Sequence, residues 1–349
     1  MTADVNNVGQ SSWSAESIGP ATLAQVMEEM ERRVARGDLA RFRPLPTGFD
    51  PLDDVLNGGL HQGELMIVGG PFGVGKTIFA LQVARNVVRS DEGNGAMYVC
   101  YEHDRAHLML RLMCLESAET RGKEDALTLR RLSELALHAD GVGLITQLRR
   151  MPRYAAFLET MASYSHRLAL VKASGDTTTL AQIRQWVQEM ASAGYQRLFL
   201  VVDYLQKIPV NLTELQPETE VTTHLTQGLK ELAMSLGIYV LAIAASDRPG
   251  LKARRMRLSD LRGSSALQYE ADIGIVLNNK YEIVSREHMI YNPTQAEAMR
   301  NWVVLSVEKN RAGRNAVDME FALDAPHFRM ATAGGFVRER LVDERVILA

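Results

Sequence analysis

Gly70, Gly73, Gly75, Lys76 and Thr77 fall in the run Gly69-Gly70-Pro71-Phe72-Gly73-Val74-Gly75-Lys76-Thr77. The run carries the spacing G-x-x-x-x-G-K-[ST] in full, between an apolar stretch of strand length and an amphipathic helical pattern, the context this pattern requires. Glycines let such a loop turn its backbone N–H groups inward into an anion-binding concavity that side chains would block. The helix opening at Lys76 adds the positive end of its dipole and its unpaired N–H groups. Lys76 is placed to reach the β- and γ-phosphates of a nucleoside triphosphate, and the Thr77 hydroxyl to take a position on Mg²⁺.

Asp203 ends a fully apolar run, Leu198-Phe199-Leu200-Val201-Val202, where a carboxylate can hold Mg²⁺ opposite the Thr77 hydroxyl. Hydrolysis also needs a group that orients the attacking water. Glu102 sits at the carboxyl end of the strand that follows the phosphate-loop helix, the edge where open α/β sheets bind ligands. An acid favoured there only by a helix dipole is the alternative. Lys309 and Arg311 occupy a turn between two late strand patterns, and the sequence reveals nothing in their own subunit for them to neutralise. Reaching into a neighbour's site, Arg311 would act as an arginine finger with Lys309 as its companion, which requires a head-to-tail ring. The most basic stretch runs from Asp247 to Arg262 and includes Arg254, Arg255, Arg257 and Arg262. It reads either as a solvated charge run or as a loop that tracks nucleic-acid phosphates. His103 and His107 are four apart but lack a third metal ligand, so they read as solvated or packing residues.

The elements that must position these groups alternate from Thr47 onward between strand and helix patterns, the signature of a mostly parallel α/β sheet. Strands are expected in the apolar run ahead of the phosphate loop and at 96–101, 168–171, 198–203, 239–244, 273–277 and 302–307, with Phe321 to Met330 closing the core. Helices are expected after the phosphate loop, over 179–193 and from Val221 to Leu236, with a helical cap from about Arg105 to Arg167. Ahead of the sheet, Leu23, Val26, Met27, Met30 and Val34 recur at helical spacing, with Pro20 at the first helical position. That helix ends near Gly37 and is followed by Arg43-Pro44-Leu45-Pro46; it can pack on its own domain or on a neighbouring subunit. The chain then divides into a disordered tail (1–19), a linker helix and linker (20–46), the α/β domain (47–332) and a C-terminal tail (333–349).

Composition agrees with a folded soluble protein: 46% of the 349 residues are apolar and 23% charged. A net charge of −3 spreads no basic field over the whole chain, so any nucleic-acid surface has to be local. Cys100 and Cys114 lie in apolar surroundings and read as reduced thiols of a cytosolic protein. No apolar run reaches the length of a membrane span, and the start lacks a basic and apolar leader, which predicts a cytoplasmic protein without a membrane partner.

Taken together, these residues resemble the RecA-like ATPase domain of the DnaB-type replicative helicases, from about Thr47 to Met330. The likeness rests on Thr47-Gly48-Phe49-Asp50-Pro51-Leu52-Asp53, the phosphate loop, Tyr101-Glu102, Asp203-Tyr204-Leu205-Gln206, Ser259-Asp260-Leu261-Arg262, Ala271-Asp272 and Lys309-Asn310-Arg311-Ala312-Gly313. The front of the domain looks equally like the KaiC and RadA branch; the back half decides for DnaB. The resemblance implies a RecA-like P-loop NTPase fold and a homo-oligomer, a hexameric ring that moves along single-stranded DNA using ATP and Mg²⁺. It makes Glu102 the catalytic glutamate, Asp203 the Walker B aspartate and Lys309 with Arg311 the trans-acting pair. It also puts the Ser259–Ser265 segment at a DNA-contacting loop and residues 21–36 at the helix that docks on the adjacent subunit. Ala245 stands where the family has a γ-phosphate-sensing glutamine, Gly263 where it has an acidic residue, and no collar domain is expected before the linker helix. These departures keep open a second reading, a RecA/KaiC/RadA-like regulatory or remodelling ATPase whose partner is a protein.

Overall fold

A computed structural model of the chain describes residues 19–39, 42–122, 124–138, 141–210, 218–246, 253–284 and 297–342. The expected N-terminal tail up to 18, the loop 211–217, the start of the basic run (247–252) and the last residues (343–349) lie outside the described residues. The most apolar stretches form the middle of one sheet, because a strand covered on both faces cannot alternate with polar residues. The chain gives helix α1 (Leu23–Ala35), short α2 (Leu52–Val55), strand β1 (Leu65–Gly69), α3 (Lys76–Ser90) and β2 (Asn94–Cys100). Four helices follow, α4 (Arg105–Arg121), α5 (Leu129–Leu137), α6 (Leu144–Arg149) and α7 (Pro152–Tyr164), before β3 (Leu168–Lys172). Then come α8 (Leu180–Ser192), β4 (Arg197–Asp203), α9 (Glu218–Leu236), β5 (Tyr239–Ile243), α10 (Ser264–Glu270), β6 (Ile273–Asn279) and α11 (Lys280–Ile283). The chain closes with β7 (Trp302–Asn310), β8 (Val317–Asp324), β9 (Arg329–Met330) and β10 (Gly335–Phe336).

The strands order as β10-β8-β7-β6-β1-β5-β4-β2-β3, with β9 on β8. From β3 to β6 all pairs are parallel; β7, β8 and β10 continue antiparallel. The expected mostly parallel sheet is present, with an antiparallel flank. Residues 333–342, expected as tail, contribute β10 and a bridge from Leu341 to Val284. Lys280 anchors this segment, pairing with Glu339 at 2.8 Å and also with Glu320.

Strand alternation sends Met66 and Val68 to one face of the sheet and Leu65 and Ile67 to the other. On the first face α3 lays down Phe79, Val83 and Val87; on the second, α8 and α9 contribute Ile183, Val187, Leu225 and Leu229. The helices between β2 and β3 close over a core of their own, with Met113, Cys114, Leu132, Tyr154 and Phe157 buried, which fits the cap expected there. Both cysteines are free and buried. Among the described residues no helix is long and apolar enough to cross a membrane.

Helix α1 begins later than Pro20 suggested. Thr22 is the N-cap: its hydroxyl accepts from the Gln25 N–H at 3.3 Å, and the Gln25 side chain accepts from the Thr22 N–H at 2.8 Å. This reciprocal box fixes the start three residues past the proline. The helix buries none of its residues; Leu23 is 76% and Met27 63% exposed.

Phe79 fixes the seat of α3, and with it the loop in front, by packing on Phe49 with ring centroids 5.0 Å apart. Truncating Phe79 to Ala should cost about 3–5 kcal/mol. Denaturant unfolding followed by circular dichroism measures it, and a loss below about 1 kcal/mol would show that α3 is seated by other contacts.

Candidate nucleotide site and nucleic-acid interface

Parallel register brings the carboxyl ends of β1, β2 and β4 to one edge of the sheet. Cys100 pairs with Asp203 across β2 and β4, and β1 stops at Gly69, where the glycine loop begins. Gly70 has φ 147°, and a side chain there would meet the Leu277 carbonyl oxygen at 2.5 Å; Gly75 caps α3 at φ 103°. Both positions require glycine, so the loop keeps its inward concavity. Lys76 Nζ lies over it, donating to the carbonyls of Gly70 at 2.7 Å and Pro71 at 2.8 Å. Burial lowers the Lys76 pKa, while the Asp203 and Glu102 carboxylates pull it back up.

Asp203 is 1% exposed. Its Oδ2 accepts from the Thr77 hydroxyl at 2.9 Å and the Tyr98 hydroxyl at 2.8 Å. Burial raises its pKa, with Glu102 adding to the effect; the two hydroxyls and Lys76 act against it. The Tyr98 phenol is pushed far above its ordinary value by burial and by Asp203, so it remains a donor. Glu102 is exposed just past the end of β2, and its charge reaches both Lys76 and Asp203. Sequence reading placed Gly70, Gly73, Gly75, Lys76, Thr77, Asp203 and Glu102 at one site, and the fold brings all seven together. It missed Tyr98, which lies 105 residues from Asp203 and has no signal beyond sharing a strand face with Cys100. The loop suits phosphate, and two hard oxygen donors, the Thr77 hydroxyl and the Asp203 carboxylate, suit Mg²⁺.

Lys309 and Arg311 lie elsewhere. The Arg311 N–H donates to Asp272 O at 3.0 Å, and the Asp272 N–H to Leu65 O at 2.9 Å, at the amino end of β1. The phosphate loop leaves the other end, about 13 Å away along the strand. Sequence reading found nothing for this pair to neutralise; the fold supplies Asp272, 3.5 Å from Arg311 Nη1, although Asp272 also pairs with Lys230 at 2.8 Å. The carbonyl of Tyr269 accepts from both Arg311 and Lys309, and that of Gln268 from Lys309. The Arg311 side chain remains 52% exposed.

Among the described residues of the basic run, Arg254, Arg255 and Arg257 are engaged inside their own chain. Arg255 is 7% exposed, pairing with Asp318 at 2.6 Å and donating to Ser306. Arg257 pairs with Glu308 at 3.1 Å, and Arg254 donates to the carbonyls of Glu282 and Val284. Arg262 is the exposed member of the four, its backbone held between Ala245 and Gln206. His103 and His107 stack at 4.8 Å, with Arg111 Nη2 3.0 Å from His103 Nε2. Burial and Arg111 lower the pKa of both rings, and no group of residues able to hold a metal through three or more His, Cys, Asp or Glu exists among the described residues.

The family model described as the DnaB-like helicase C terminal domain matches residues 44–330. The chain belongs to that family. A "Replicative DNA helicase DnaB" from Mycoplasma pneumoniae is 27% identical over 309 residues, 87% of this chain and 60% of the relative. The protein of that name from Geobacillus stearothermophilus is 27% identical over 231 residues, 66% of this chain and 46% of the relative. The DnaB-like domain described here thus spans about half to three-fifths of the curated relatives it matches. Over a shorter stretch, 74 residues or 21% of the chain, it is 42% identical to a "DNA repair protein RadA" from Mycobacterium tuberculosis, 15% of which is covered. Among solved structures, a DnaB-like replicative helicase superposes with a TM-score of 0.66 at 18% identity, covering 90% of this chain and 67% of that one. A solved ATPase domain standing by itself superposes with a TM-score of 0.68, also at 18% identity, and 99% of it is covered. These likenesses establish the RecA-like ATPase fold of DnaB-like helicases.

A buried carboxylate with a raised pKa favours the folded state only when protonated. That contribution is complete below the ordinary value of 3.8 and is lost as pH rises through the folded value. Above that folded value the Asp203 charge therefore costs stability. Asp203→Asn should melt at a higher temperature than wild type on the alkaline side of that value, and the gap should close on acidification. Calorimetry across pH tests this; a variant less stable at pH 7 would show that the two hydroxyls more than offset burial.

Proposed function

We propose that the chain is the motor of an ATP-dependent, DnaB-like helicase or translocase that works as a head-to-tail homo-oligomer, six subunits in a ring, on single-stranded DNA. The observation that carries this reading is the separation of Arg311 and Lys309 from their own phosphate loop by the length of β1. A side chain at the opposite sheet edge serves a triphosphate only in a neighbour, and a repeated heterologous contact closes into a ring. In each interface one subunit would supply Lys76, Thr77, Asp203 and Glu102. The loop N–H groups and Lys76 bind the phosphates, Thr77 and Asp203 hold Mg²⁺, and Glu102 orients the attacking water. Bound Mg²⁺ supplies charge neutralisation at the phosphate oxygens. The next subunit would extend Arg311 and Lys309 toward the charge that builds on the transferred phosphoryl group. The exposed apolar face of α1 supports docking on the adjacent subunit. The names of the matched relatives, replicative DNA helicases, support DNA as the track, and exposed Arg262 is our candidate contact in the basic segment.

A second reading has its own support. Arg255 and Arg257 spend their charge inside the chain, and a 74-residue stretch is 42% identical to a RadA protein. A remodelling ATPase with a protein partner would need no basic channel. DNA affinity that falls steeply with salt favours the first reading; affinity absent at moderate salt favours the second.

Lys76→Ala should abolish nucleotide binding or turnover. Arg311→Ala should leave the nucleotide Kd within about threefold and slow hydrolysis by about 10³-fold or more. Mixing Arg311→Ala with Glu102→Gln subunits should restore part of the turnover, since some interfaces then hold both intact partners. Steady-state hydrolysis with and without single-stranded DNA reads the turnover of all three, and titration with a fluorescent nucleotide reads the Kd; normal turnover by Arg311→Ala ends the trans assignment.

A further inference from the structure

Three donors could orient the Asp203 carboxylate: the loop helix, the strand beside it, and water. Two of them converge on one oxygen. Thr77 approaches Oδ2 from the first turn of α3 at 2.9 Å, and Tyr98 from β2 at 2.8 Å. Tyr98 is fully buried, and strand alternation fixes its direction. Cys100 pairs with Asp203, and Tyr98, two residues earlier, projects from the same face of β2. The phenol is long enough to span that diagonal to the carboxylate. A phenylalanine would fill the same apolar space, so packing alone does not call for the hydroxyl. A carboxylate with both hydrogen bonds on Oδ2 cannot rotate freely and has Oδ1 left for a ligand. Thr77, having turned its proton to Oδ2, has its oxygen lone pairs directed elsewhere.

We propose that Tyr98 is a positioning residue for the cation site: its hydroxyl locks one Asp203 oxygen so that the other, with the Thr77 oxygen, faces the divalent cation that accompanies the nucleotide. The arrangement is an outer-sphere partner holding a metal ligand in line, as carboxylates and carbonyls do for ligating histidines. It rests on the proposed role of Asp203, and the experiment separates the two.

The test measures the Kd of a fluorescent ADP analogue in Mg²⁺ and in EDTA, for wild type and Tyr98→Phe. Wild type should bind more tightly in Mg²⁺. Tyr98→Phe should lose about tenfold in Mg²⁺ and less than about twofold in EDTA, where the lock has no cation to serve. The ratio of the two constants within one variant is insensitive to partial unfolding, which raises both in proportion. In steady-state turnover, the Mg²⁺ concentration for half-maximal rate should rise about tenfold while kcat at saturating Mg²⁺ falls far less. Equal Mg²⁺ dependence in Tyr98→Phe and wild type overturns the proposal and leaves Asp203 its role. A wild type that binds equally well in EDTA removes the metal role of Asp203, and the proposal with it. A wild type that binds no nucleotide at all removes the reading on which both stand.

Discussion

The hydrogen bonds converging on Asp203 Oδ2 tie the domain together at the point where its chemistry is proposed. They join the first turn of α3, the middle of β2 and the end of β4 through one buried atom. None of those elements could supply the contact alone. The parallel register must bring Cys100 level with Asp203, α3 must lie on the face from which Tyr98 projects, and the glycine loop must turn tightly enough to start α3 there. Helix seating, strand order and loop conformation are thus all constrained by one carboxylate. Burying its charge is costly unless hydrogen-bonded, which is why the two hydroxyls are there to receive it. The stability that a neutral residue would give is set against a charge that can hold a cation.

The two ends of β1 divide the molecule's chemistry. Its carboxyl end carries the phosphate loop; its amino end touches Asp272 and, through it, the turn with Lys309 and Arg311. Six strands run the same way, so every loop at the first edge faces the same side, while the antiparallel turn to β7 returns the chain to the second edge. One subunit therefore carries the phosphate cradle with exposed Glu102 beside it at one edge and the half-exposed Arg311 at the other. Surfaces of opposite character on opposite sides suit repeated head-to-tail association, and self-complementary pairing across a twofold axis would set like against like.

How much of this could be read in the sequence follows from how local each contact is. The phosphate loop was fully legible, because its geometry is written in contiguous residues. Asp203 and Glu102 were legible as polar endings of apolar strands. Strand positions came through for the same reason, since buried strands leave uninterrupted apolar runs. The Thr22–Gln25 box was present as T-x-x-Q but was passed over in favour of Pro20, a weaker start signal than a reciprocal cap. Tyr98 could not be found, because its partner is set by register between strands 105 residues apart. The ion pairs of the basic run were hidden for a similar reason. Asp318 and Glu308, which take up Arg255 and Arg257, sit on β8 and β7, about fifty residues or more downstream. Charge counted along a sequence does not reveal charge neutralised across a sheet.

That neutralisation has a structural consequence. Glu308 holds Arg257 by an ion pair and the Leu258 N–H at 2.8 Å, one residue before Lys309. At the other end of the segment, Gln206 accepts from the Ala245 N–H at 3.0 Å and donates to Arg262 O at 3.1 Å, three residues after Asp203. Residues 257–262 are pinned between the strand that leads to the Lys309–Arg311 turn and the strand that ends in Asp203. With Ala at 245, no side chain of that residue reaches across; the backbone bonds and Gln206 make the connection instead. A displacement at either edge of the sheet must then carry the segment with it or break a defined hydrogen bond. Arg257 and the backbone of this stretch brace the two edges against each other, while the Arg262 side chain is left exposed.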